Sequence, residues 1–320
     1  MLHIAGLILT VSFAIVDSNT DDGIIYKGQN LSTWVSRLAA KDNNVRKEAI
    51  AIIVGIGEPA LPAVGGALRS KDPWTRFSAC MIIEQWGGRA SQAVPDLKAS
   101  LHDELPNIGQ RAALALAKLP PQGVLVLAEA LKDKDPTVRL HAASALGSAA
   151  GAAKTFVPAL TDVLRDEKAS VRGAAAWSLG NVGDASESVI VALTAAVKDS
   201  DPKVRYNSVY ALRQLGGRAG AALPALCDAL LKDSDHHVRV VAASAISKIA
   251  PKNAEGRAAI EKALQEDKNP WVRGCICDLL GTLGSAARES IPALEKALQD
   301  SSDDVRRSAA NAITEIHKAK

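Results

Sequence analysis

A Val-Arg pair, or a near equivalent, returns along this chain at Arg46, Arg76, Arg111, Arg139, Arg172, Arg205, Arg239, Arg273 and Arg306. The last five intervals are 33, 33, 34, 34 and 33 residues. A period in that range marks a chain made of one supersecondary unit copied many times, each copy too small to bury its own apolar face. Whatever this chain folds into must therefore be built by stacking.

The residues around each arginine say what is stacked. A representative copy reads KDSDPKVRYNSVYALRQLGG, which is a polar turn, a run with apolar residues at helical spacing, and glycine. Four residues before the arginine stand Asp42, Asp72, Asn107, Asp135, Asp201, Asp235 and Asn269, side chains suited to accept the free N–H groups of a helix start. Pro73, Pro136, Pro202 and Pro270 follow at the first helical position, where a missing N–H costs nothing. After the arginine, residues such as Ser208, Ala211, Leu212 and Leu215 form one apolar stripe, and Gly87, Gly183, Gly216 and Gly284 end the run. A second set of prolines, Pro95, Pro158, Pro224 and Pro292, opens another helix in each copy. The unit is a helical hairpin. Residues 30–320 are accordingly expected to form an all-α chain, an α-solenoid (superhelix) of about nine such repeats. The third copy, LHDELPNIGQRAALALAKLPPQG, has a longer turn, a short helix and a Pro120-Pro121 break, so a kink is expected there.

Composition agrees and excludes some functions. Of 320 residues, 48% are hydrophobic but only 3% aromatic, a balance that suits small-residue helices better than sheets. The net charge of +3 is spread along the chain without a basic arm, which argues against a nucleic-acid partner. Cys80, Cys227, Cys275 and Cys277 are too few and too irregular for a disulfide framework and read as packing thiols. The start, MLHIAGLILTVSFAIV, is apolar from Ile4 to Val16. It is too short to span a bilayer comfortably, so residues 1–18 are expected to be an export signal, 19–29 a polar linker, and no stable membrane span is expected. The mature chain would then be exported, to a periplasm or beyond, and would otherwise be cytoplasmic.

Six units also carry an aspartate six residues before the arginine: Asp133, Asp166, Asp199, Asp233, Asp267 and Asp300, paired in sequence with Arg139, Arg172, Arg205, Arg239, Arg273 and Arg306. A catalytic carboxylate occurs once in a chain, not six times. The expected role is a structural ladder in which each arginine forks onto a neighbouring turn.

The unit DxDPxVRxxAxxALGxxG resembles the HEAT-like repeat family named after phycobilisome lyases, which includes many bacterial HEAT repeat proteins, and the resemblance covers about residues 30 to 318. It implies a fold and leaves function open, because members include bilin-lyase subunits, deoxyhypusine hydroxylases, alkylpurine glycosylases and interaction proteins. The hydroxylases bind two irons through His-Glu dipeptides. Here His3, His102, His141, His236, His237 and His317 precede Ile, Asp, Ala, His, Val and Lys, so no such ligand set is present. No phosphate loop, nucleophile elbow or paired-cysteine motif occurs either. No catalytic residue, metal or cofactor is expected.

A partner is expected instead. If the helix carrying the arginine lines the concave side, positions one and five after the arginine project into the groove. Most are small; the exceptions are Phe77 and Met81, then Trp177, then Tyr206 and Tyr210, with Asn207, Arg213, His141 and Asp278 nearby in repeat register as candidates for polar contacts. Trp177 and Tyr210 share a repeat position in adjacent units. The reading is a non-enzymatic scaffold for a protein or peptide partner of unknown identity, the aromatic patch being its anchor. The alternatives are that these rings fill space between helices, and that the chain is a lyase-like or hydroxylase-like enzyme or accessory lacking the di-iron motifs.

Overall fold

The computed structural model describes residues 14–15 and 24–319. The expected export signal lies outside the described residues except for positions 14–15, and so does the linker up to residue 23. Among the described residues are eighteen α-helices, arranged as nine consecutive pairs, and one small antiparallel sheet.

The nine longer helices carry the repeat arginines: α2 (Asn43–Ile56), α4 (Pro73–Trp86), α6 (Pro106–Ala117), α8 (Pro136–Ala149), α10 (Ala169–Val182), α12 (Pro202–Leu215), α14 (His236–Ile249), α16 (Pro270–Leu283) and α18 (Asp303–Lys318). Their partners are α1 (Leu31–Ser36), α3 (Leu61–Ala67), α5 (Val94–Ser100), α7 (Gln122–Ala130), α9 (Val157–Val163), α11 (Glu187–Ala196), α13 (Leu223–Lys232), α15 (Ala254–Glu266) and α17 (Ile291–Ala297). The chain divides into two compact units, one running to Val126 and one beginning at Leu127.

In the first unit α2, α4 and α6 pack in sequence as one layer, with α1, α3 and α5 against them. Its start is covered by the sheet of β1 (Ala14–Ile15), β2 (Ile24–Tyr26) and β3 (Gln29–Asn30). Trp34 on α1 is buried and donates from Nε1 to the carbonyl of Tyr26 at 3.1 Å, tying the hairpin to the first helix. Trp86 lies in the core of α4 and donates to Val54 of α2 at 3.1 Å. In the second unit α8, α10, α12, α14, α16 and α18 stack in order, and α9, α11, α13, α15 and α17 form the other layer. The buried side chains are mostly Ala, Val, Leu and Ile from both layers.

Caps form where short polar side chains precede the arginine helices. Asp42, Asp72, Asp135, Asp201, Asp235 and Asn269 each accept a backbone N–H of the first turn. The expected cap at Asn107 is corrected: Pro106 already occupies the first helical position, so the cap falls on Leu105 and Asn107 lies inside α6. His236 and His237, which the repeat pattern places in a turn, instead open α14. The third unit has the short α6, 12 residues against 14 in most arginine helices, and a cis Pro120-Pro121 bond follows it.

Where α12 ends, Gly216 holds φ 62° and ψ −146°, a conformation that side chains rarely adopt. The equivalent residue after α8 is Ala150, held at φ 47° and ψ −116°. A Cβ in that region stores strain of roughly 1–3 kcal/mol, against about 0.4–1 kcal/mol of added unfolded-state freedom for glycine. Ala150→Gly is therefore expected to stabilise the chain by about 1 kcal/mol, read as a higher midpoint in thermal or urea unfolding.

Candidate partner-binding face

Six of the nine repeat arginines have two jobs in one side chain. Nη1 of Arg139, Arg172, Arg205, Arg239 and Arg273 donates to the carbonyl six residues earlier, at 2.8, 2.9, 3.0, 2.9 and 2.6 Å, closing its own turn. Nε and Nη2 then form a fork onto the aspartate of the next turn: Arg139 on Asp166, Arg172 on Asp199, Arg205 on Asp233, Arg239 on Asp267 and Arg273 on Asp300, with Nε distances of 2.6–2.7 Å. Arg76 makes the same fork on Asp103 in the first unit. Across these six pairs the arginines are 11–15% exposed and the aspartates 5–12%. Each such aspartate in the second unit also accepts the N–H two residues on, as Asp199 does from Asp201.

These contacts set the charges. Burial works against ionisation of Asp103, Asp166 and Asp199, but the guanidinium and backbone donors outweigh it and hold their carboxyls below the ordinary range. At Asp300 the Arg273 hydrogen bond dominates, with the same direction. Asp133 and Arg306 stand apart from the forks. Asp133 accepts Arg139 through its carbonyl and caps the N–H of Asp135 with its carboxylate. Arg306 donates to the carbonyl of Asp300 and pairs with Asp303 of its own helix. Arg111 pairs with Glu84 at 3.0 Å, and Arg46 closes its own turn and lies over the Trp74 ring at 4.2 Å.

The ladder occupies the turns and leaves the arginine helices free to present a face. Tyr206 is 39% exposed on α12, and Tyr210 is half-buried one helical turn on, its hydroxyl accepting from Gln214 at 2.7 Å. Trp177 is half-buried on α10, which packs against α12. Its ring lies against α8 at Gly147, where a Cβ would come within 2.8 Å of Trp177 Cζ3. Part of its surface therefore fills the gap between helices. Asn207 donates to the carbonyl of Gly173 on α10 at 2.9 Å, and Arg213 donates from Nε to Ser244 on α14 at 2.8 Å. Both polar side chains spend donors on holding neighbouring arginine helices in register.

Phe77 and Met81 belong to the first unit and both are half-buried on α4. Phe77 meets Trp74 edge-on at 6.5 Å and carries the Arg111 guanidinium at 5.2 Å. A further aromatic group was not singled out by spacing: Trp271, 47% exposed, meets His236 and His237 edge-on at 5.4 and 5.2 Å. Its sequence signal was present, since Trp271 and His237 share the second helical position of adjacent units, but it lies outside the positions one and five after the arginine.

The remaining reactive side chains are muted. Burial pushes the Cys80 and Cys277 thiols up to about 12, and raises Cys227 and Cys275 as well. Burial also lowers the pKa of His141, whose Nδ1 has no hydrogen-bond partner among the described residues. Among the described residues no three His, Cys, Asp or Glu side chains gather as a metal site, and no single helix is long and apolar enough to cross a membrane.

Paired helices stacked in two layers and tied turn to turn by repeated forks define an α-solenoid. The HEAT-repeat model matches residues 31–117, 94–166, 124–213, 157–247 and 223–314. The chain belongs to the HEAT repeat family. Among solved structures it is similar to yeast importin-β, Kap95p (15% identity, 90% of this chain and 47% of that one, TM-score 0.66), and to YibA of Escherichia coli (16%, 92% and 99%, TM-score 0.54). The karyopherin Kap121p bound to the extreme C-terminus of the phosphatase Cdc14p is similar too (14%, 90% and 38%, TM-score 0.63). The chain thus spans about half the length of importin-β. At these identities the likeness is one of fold. No curated protein matches the sequence significantly.

Proposed function

We propose that this chain is a non-enzymatic scaffold that holds a protein or peptide segment on the face presented by its arginine helices, with Trp177, Tyr206 and Tyr210 as the anchor. The observation that carries the reading is Tyr206, an aromatic ring 39% exposed on α12, one helical turn from Tyr210 and on a helix packed against the one that carries Trp177. Tyrosine and tryptophan combine a large apolar area with a polar edge at low entropic cost, which is why they dominate binding hot spots. Five of the repeated carboxylates are paired with the repeated guanidiniums, so this motif supports an architectural reading over a catalytic one. Similar folds support the class of partner: Kap121p is recorded with a protein C-terminus bound, and Kap95 with Nup1.

The test is crosslinking capture of a partner, followed by affinity measurement with that partner. Tyr206→Ala with Tyr210→Ala is expected to weaken binding by at least about 30-fold, at roughly 2 kcal/mol or more for a hot spot. Trp177→Ala is a less clean probe, because its ring also packs at Gly147, so melting must be followed for each variant. Unchanged affinity in the double variant would sink the anchor, and a stoichiometric metal or chromophore in the purified protein would sink the scaffold.

A further inference from the structure

The same face changes chemistry towards the later helices. Position five after the repeat arginine is Trp177 on α10, Tyr210 on α12, Ser244 on α14, Asp278 on α16 and Asn311 on α18, and these helices stack in that order. Asp278 is exposed, and unlike the ladder carboxylates it has no ion pair or hydrogen bond among the described residues. It stands at a cleft of about 500 Å³ that is also lined by Gly281, Thr282, Asn311, Ala312 and Glu315. Gly281 draws α18 close, since a Cβ there would lie 3.0 Å from the Ala312 Cα.

Several other charges near this row have partners. Glu315 pairs with Lys318 at 2.9 Å, Arg307 with Asp304 at 3.4 Å, and Arg213 donates to Ser244. Lys248 lies in the last turn of α14, where the helix dipole favours a cation. Asp278 is left as a single unpaired carboxylate on a surface whose aromatic rings lie two and three helices away.

Resting on the anchor reading above, we infer that the occupant is an extended protein segment, with an apolar or aromatic side chain on Trp177, Tyr206 and Tyr210 and a lysine or arginine on Asp278. A cation there gains a charge-assisted hydrogen bond, and an acidic residue there is repelled, which makes Asp278 a determinant of specificity more than of affinity. The spacing follows from the stacking. Adjacent helix axes are about 8–10 Å apart, and an extended chain advances about 3.3–3.6 Å per residue. Two or three helix steps therefore separate the anchor and the cation by about five to nine residues.

The experiment uses the full chain, immobilised, and a random library of phage-displayed peptides about sixteen residues long, roughly twice the span required. Selection is expected to enrich an apolar or aromatic residue followed or preceded at that spacing by Lys or Arg. With Asp278→Asn, an exposed and nearly isosteric change, the basic preference is expected to disappear while the apolar one persists. In the best peptide, exchanging the base for Glu should weaken binding to the unsubstituted protein about tenfold. An enriched apolar residue without a base at that spacing, or a basic preference that survives Asp278→Asn, overturns this inference and leaves the anchor standing. Enrichment no greater than on Tyr206→Ala with Tyr210→Ala overturns both.

Discussion

Arg205→Ala is expected to destabilise the chain by about 3–5 kcal/mol, the usual cost of removing one partner of a buried ion pair. The geometry puts this fork at the severe end. Asp233 is 5% exposed and loses both guanidinium bonds, while the carbonyl of Asp199 loses the Nη1 donor that closes the preceding turn. Arg205→Lys should rescue little, because an ammonium is a point charge that cannot bridge two carboxylate oxygens and a carbonyl at once. Adding Asp233→Ala to Arg205→Ala should recover part of the loss by removing the stranded charge. Because each unit touches chiefly its neighbours, weakening one junction should also broaden or split the unfolding transition. Calorimetry and urea unfolding of the three variants check this, and an Arg205→Ala protein that melts like the parent would exclude the ladder as a stabilising device.

The second large effect is with acid. Asp103, Asp166, Asp199 and Asp300 have carboxyl pKa values below their ordinary value. A depressed folded pKa contributes stability that is fully present above the unfolded value, about 3.8–3.9, and is lost as pH falls through the folded one. Stability should therefore be little changed by these groups above pH 5 and fall steeply below about pH 4. Several rungs titrate in the same window, so their losses accumulate in one narrow range. Since the pairs are mostly buried, added salt should shift this transition only slightly. Measured unfolding free energy that stays level down to pH 2 would contradict the fork geometry. Asp300→Asn should flatten part of the dependence while leaving the neutral-pH fold intact.

The two predictions and the binding face draw on different parts of the chain, and the division is physical. The ladder and the fold are properties of the repeat, so a residue needs only its register to be interpreted. The proposed binding face depends on what breaks the repeat, and a residue that breaks a pattern is ambiguous until its surroundings are seen. Trp177 shows this: its register put it on the face, but its contact with α8 depends on Gly147, thirty residues earlier in sequence. Asn207 and Arg213 looked like free polar groups beside the rings and prove to be hydrogen-bonded to Gly173 and Ser244. Trp271 with His236 and His237 went unread because the cluster joins two units at helix starts, where polar turn residues were expected.

By itself the sequence determined the helical hairpin, its period, most of its caps and the family, because each follows from local chemistry repeated nine times. Aspartate before proline favours a helix start through local capping alone, and a stripe of Ala, Leu and Val must be buried somewhere. Tertiary structure alone decided which carboxylate each arginine reaches, since Asp166, Asp199, Asp233, Asp267 and Asp300 are brought to the preceding arginine only by stacking. Register already set Asp278 apart, five residues after a repeat arginine and inside a helix where those five stand in turns six residues before one; the structure adds that it is exposed and has no ion pair or hydrogen bond among the described residues.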